Sequence, residues 1–182
     1  MTQAAFRKFY WGFLFIMIDF RLNGIDILPD IIGYALFVAG LGWLREKNYY
    51  FDRARIFHII MLILSIFSIY EKPSQNMESI SFNPLGTLLG VLSLILSLLA
   101  MHHFLWGVKQ FAEETNVPDI SDEAQLRWKQ YLYLQLASFA AFLLILLPPL
   151  AFVYIIALLV VSVILTVKFM GFMTRCGFRL QD

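Results

Sequence analysis

The chain has 182 residues, 60% hydrophobic and 16% aromatic, with fourteen basic and thirteen acidic residues giving a net charge of +1. A near-neutral chain without a clustered basic surface excludes nucleic acid as a partner, and the single cysteine, Cys176, excludes an internal disulfide. The longest polar stretches, 71–84 and 109–128, leave no room for a soluble domain.

Apolar stretches over 9–22, 27–44, 56–70, 84–107, 130–147 and 150–167 predict six transmembrane helices in one integral membrane domain, an all-α polytopic bundle covering residues 1–182. The first follows Arg7 and Lys8 but runs into Asp19-Phe20-Arg21 without a small-residue cleavage site, so it reads as a retained helix and not a signal peptide. Asn23-Gly24 suits the left-handed cap ending that helix, and Asp26 with Pro29 suits the first turn of the second. On the second helix Asp26, Asp30, Gly33, Phe37 and Gly40 share one face, so a carboxylate face passes into a glycine face of the kind that packs inward. Gly12, Asp19 and Asn23 share one side of the first.

The third span is short and opens at His58; the fourth is long and closes at His102-His103. Along the fourth, Gly86, Gly90, Ser93, Ser97 and Ala100 form a small-residue stripe suited to close helix packing. Ser121-Asp122-Glu123 reads as the N-cap and acidic first turn of the fifth helix. Pro148-Pro149 then turns the chain into the sixth.

Basic residues sort by side. Arg7, Lys8, Arg45, Lys47, Arg53, Arg55, Lys109, Arg127, Lys129, Lys168, Arg175 and Arg179 flank span ends on one side, and only Arg21 and Lys72 flank the other. The positive-inside rule reads this as both termini in the cytoplasm. Trp11, Trp43, Trp106 and Trp128 also belong to the basic side, as an aromatic belt would. Cys176 falls there too, where thiols stay reduced.

The candidate ligand-binding residues are Asp19, Arg21, Asn23, Asp26 and Asp30, at the external ends of the first two spans. Charges at that depth are costly and are paired or functional. Two readings stay open: a capped, salt-bridged turn, or an externally open pocket for a cation, a proton or a headgroup. Residues 20–34, Phe-Arg-Leu-Asn-Gly-Ile-Asp-Ile-Leu-Pro-Asp-Ile-Ile-Gly-Tyr, resemble a stretch of small uncharacterised multi-span membrane proteins of Gram-positive bacteria. The resemblance implies a bacterial cytoplasmic membrane.

His58, His102 and His103 all sit near the cytoplasmic face on this reading, at a depth where haem or metal could bind, but adjacent histidines point about 100° apart. They read as unliganded interfacial residues, and no cofactor or metal is expected. Glu113-Glu114 lacks the following arginine of intramembrane CAAX-type proteases. The chain also has no CDP-alcohol transferase motif, GxSxG, CxxC, HExxH or phosphate loop, and the balance leans away from an enzyme.

Three functions follow in order. The first is a ligand-binding or transport-associated protein using the external acidic cluster; substrate-binding subunits of modular vitamin importers are similar in size and span count. The second is an accessory protein docking on a membrane-protein partner through small-residue faces. The third, ranked below both, is an envelope enzyme modifying lipids.

Overall fold

The computed structural model describes residues 1–17, 21–22, 25–26, 30–68, 84–144 and 148–180. Among these, six helices follow in chain order: α1 (Thr2–Met17), α2 (Asp30–Leu44), α3 (Tyr49–Ser68), α4 (Pro84–Glu114), α5 (Pro118–Leu144) and α6 (Pro148–Arg179). Two short strands, β1 (Arg21–Leu22) and β2 (Ile25–Asp26), stand between α1 and α2 and pair antiparallel. Each helix packs on its sequence neighbours and α6 returns onto α1, so the six close into a ring.

Local chemistry sets the corners at the end where the termini meet. Asn48 caps α3, its Oδ1 accepting from the Phe51 amide at 3.0 Å, while its Nδ2 donates to the Gly107 carbonyl at 2.9 Å and ties α3 to α4. A Cβ at Gly107 would lie 2.7 Å from the Phe51 ring, so only glycine allows this approach. At the end of α4, Asn116 takes φ 55°. Val117 N–H then bonds Ala112 O at 2.8 Å and Asn116 N–H bonds Glu113 O at 3.2 Å, the paired bonds of a Schellman cap. Pro118 follows as the first residue of α5.

The core fills this terminal end of the ring. Phe9 and Phe13 of α1 meet Phe37 of α2, Phe104 of α4 and Phe169 of α6, with centroid separations of 4.7–6.1 Å. Below them Phe6, Phe51, Leu105, Phe172 and Cys176 are fully enclosed. Cys176 therefore lies inside α6 and the core, not beyond the last span, and its thiol is closed to acylation.

The opposite end is apolar on its outside. Phe152, Val153, Ile155, Ile156 and Leu159 of α6 are exposed, Phe152 by 68%, as are Leu88, Leu92 and Ile95 of α4. Among the described residues two helical segments, Gly90–Glu114 and Leu150–Arg179, are long and apolar enough to cross a membrane. Only 17% of the most apolar window of the second is buried, whereas the core helix of a water-soluble protein is mostly buried.

Several boundaries differ from the sequence expectations, because hydropathy marks apolar length while helices run through charged turns. α1 begins at Thr2, includes Arg7 and Lys8, and ends at Met17. Asp26 stands in β2 and not in the first turn of α2, which opens at Asp30. α3 begins at Tyr49, seven residues before the apolar stretch. α5 begins at Pro118, so Ser121 is not its cap; its hydroxyl instead donates to Glu113 Oε1 at 3.0 Å.

Candidate functional site

Seven residues separate the expected and observed starts of the third helix, and they change where His58 lies. On α3, Ala54, His58, Met61 and Ser65 recur at helical spacing and are all buried, so this face looks into the ring. His58 is 2% exposed and lies two and a half turns inside the helix. Its ring stacks on Phe37 at 4.6 Å and lies 6.4 Å from Phe104 and 6.3 Å from Tyr34. Nδ1 donates to the Ala54 carbonyl at 2.7 Å. In the neutral ring that leaves the Nε2 lone pair as an acceptor.

One turn outward from Phe37 stands Tyr34, 8% exposed, whose hydroxyl makes no hydrogen bond among the described residues. It lies within electrostatic reach of Tyr131 on α5 and of Asp30. The Tyr131 hydroxyl accepts from Gln135 Nε2 at 2.8 Å and has Ser97 of α4 beside it. Tyr34, His58 and Tyr131 thus come from three helices and form a polar layer on the outward side of the phenylalanines. Sequence reading singled out only His58 among them, as an unliganded residue, although the spacing of Tyr34 from Asp30 and of His58 from Ser65 carried the signal.

The expected site residues are placed as follows. Arg21 and Asp26 occupy opposite register positions of the β1–β2 ladder. Asp30 is the first residue of α2, half-buried, one turn from Tyr34. Asp19 and Asn23 lie outside the described residues. Gly33 and Gly40 line the α1–α2 seam, where an added Cβ would sit 2.5 Å from Ile16 and 2.5 Å from Phe9 respectively.

The fourth-helix stripe divides. Ser97 and Ala100 face the bundle side near Tyr131, but Gly90 is exposed and a Cβ there meets nothing within 4 Å. Gly90 is therefore not part of a close helix contact among the described residues. Ser93 is half-buried, and Gly86 is helical. His102 stacks on Trp106 at 4.4 Å and meets Trp128 edge-on at 5.0 Å, while His103 is held by Leu99 O at 2.8 Å. The described residues hold no group of three or more His, Cys, Asp or Glu placed to bind a metal ion.

At the terminal end, the Glu123 carboxylate clamps two helices. Arg127 of the same helix and Arg175 of α6 both bond it, Arg175 Nε at 3.0 Å from Oε2 with its second nitrogen on Oε1. Arg179 bonds Asp119 at 3.0 Å. Burial alone would raise the Glu123 pKa, but the two guanidinium groups outweigh it and hold the carboxyl below its ordinary value.

Comparison with protein-family models, with curated proteins and with solved structures found no match to this chain.

Proposed function

We propose that this is a multi-pass protein of the cell membrane, with six spans and both termini in the cytoplasm, that takes a small polar ligand from the external side into the Tyr34–His58–Tyr131 layer. The observation carrying this reading is His58. A buried imidazole with one nitrogen fixed on a backbone carbonyl lies beside Tyr34, whose hydroxyl makes no hydrogen bond among the described residues. A ligand bearing hydrogen-bond donors finds an acceptor in each of these side chains.

Helix lengths support the direction of entry. At about 1.5 Å per residue, α1 and α2 run about 24 and 22 Å, against about 46 and 48 Å for α4 and α6. α1 and α6 are flush at the terminal end, where Gly177 meets Phe6, so the β1–β2 hairpin begins about halfway along α6. Non-helical backbone at bilayer depth is tolerated where protein encloses it or it lines water. An aqueous vestibule from the external side meets that requirement, with Asp19, Arg21, Asn23, Asp26 and Asp30 as its polar residues. The phenylalanine layer closes the inner side, which suits capture from outside more than an open conduction path.

The exposed Gly90 favours a second reading, a membrane-protein partner docking on the outer half of α4.

The experiment is native mass spectrometry of the protein released from its own membrane in nanodiscs. A small-molecule adduct is expected on the wild type, absent from Tyr34→Phe and from His58→Gln. An identical adduct pattern in all three proteins contradicts the reading.

A further inference from the structure

A groove of about 510 Å³ runs along the α1–α6 seam at the terminal end, far from the polar layer. Its polar lining residues are Gln3, Arg7, Tyr10, Trp11 and Thr174, and no Asp or Glu among the described residues borders it. Thr174 already donates to Met170 O at 3.1 Å, which leaves four side chains with donors to offer. The groove falls within the roughly 300–1,000 Å³ typical of small-ligand pockets.

Arg7 is the cation this groove offers. Arg127 and Arg175 are spent on Glu123 and Arg179 on Asp119, whereas Arg7 is exposed and makes no ion pair among the described residues. A guanidinium among neutral donors is matched to a phosphate, which it can bind with two parallel bonds. The rim is apolar: Phe178 is 62% and Trp11 48% exposed. A phosphate seat flanked by exposed aromatics fits an anionic amphiphile better than a soluble anion. Basic recesses between spans on the cytoplasmic side suit acidic lipid headgroups.

We infer that the α1–α6 groove is a headgroup site for an anionic phospholipid of the cytoplasmic leaflet, with Arg7 on the phosphodiester and the acyl chains lying over Trp11 and Phe178. This rests on the membrane-spanning reading but not on the ligand assigned to the polar layer.

The test uses the full chain in nanodiscs of equal phosphatidylglycerol and phosphatidylcholine, with retained lipid counted by native mass spectrometry after transfer to detergent. Wild type should retain phosphatidylglycerol, Arg7→Gln should hold it about tenfold more weakly as a charge-assisted bond is lost, and Arg53→Gln, whose arginine lies over Tyr49 away from the groove, should match wild type. Millimolar inorganic phosphate should not displace the lipid. Undiminished retention by Arg7→Gln, an equal loss in Arg53→Gln, or full displacement by phosphate overturns the assignment. Arg7 is exposed, so its replacement leaves the fold intact, and the unfolding temperature checks that directly.

Discussion

His58 lies flat against Phe37, their ring centroids 4.6 Å apart and their planes 10° from parallel. The stack fixes the plane of the imidazole, and the bond from Nδ1 to Ala54 O fixes its rotation within that plane. The direction of Nε2 is therefore set before any ligand arrives, which lowers the ordering cost of binding. Selective ¹⁵N-histidine spectra should show His58 as the Nδ1–H tautomer at neutral pH. An Nε2–H tautomer would contradict the arrangement.

Glycines of the two seams should respond oppositely to the same substitution. Gly40→Leu drives its side chain into Phe9 and should lower stability by about 1–3 kcal/mol or more, the range of overpacked cores. Gly90→Leu enters open space and should cost nothing measurable in the isolated protein. Thermal unfolding in mild detergent compares them. Equal destabilisation would show that α4 packs at Gly90 after all.

The Glu123 clamp makes stability depend on pH in a defined sense. A carboxyl whose pKa is lower folded than unfolded contributes stability that is complete above the ordinary value of 4.5 and lost as pH falls through the lowered folded value. The unfolding temperature of the wild type should therefore drop on acidification below that value by more than that of Glu123→Gln. Parallel acid curves for the two proteins would remove Glu123 from the α5–α6 contact.

Topology is tested from both faces. A cysteine at Ser74, between α3 and α4, should react with an impermeant thiol reagent on whole cells. A cysteine at Asp122, exposed near the start of α5, should react only after the cells are opened; Ser121 beside it is buried and unsuitable. Reversed labelling would place the acidic hairpin inside the cell.

Much of the fold was legible because period and residue size act locally. Gly33, Phe37 and Gly40 mark a buried face of α2 wherever the helix starts, and the apolar run of α6 needs no context. Depth was harder to read. Arg53 and Arg55 ended the apolar window but not the helix, so the enclosure of His58 by the bundle was not legible. Asn23-Gly24 was ambiguous for a physical reason: a left-handed helix cap and a two-residue hairpin favour the same dipeptide, and both residues lie outside the described ones. A small-residue stripe, finally, says that close approach is allowed but not by whom, and at Gly90 nothing among the described residues takes it.

The most direct measurement is the accessibility of Tyr34→Cys. The native Cys176 is buried in the core at the opposite end and supplies a blank background. With an impermeant methanethiosulfonate on intact cells, the cysteine at position 34 should be labelled from outside, as a polar layer open to the external side requires. Labelling only after the cells are opened, or only after the protein is unfolded, would contradict it.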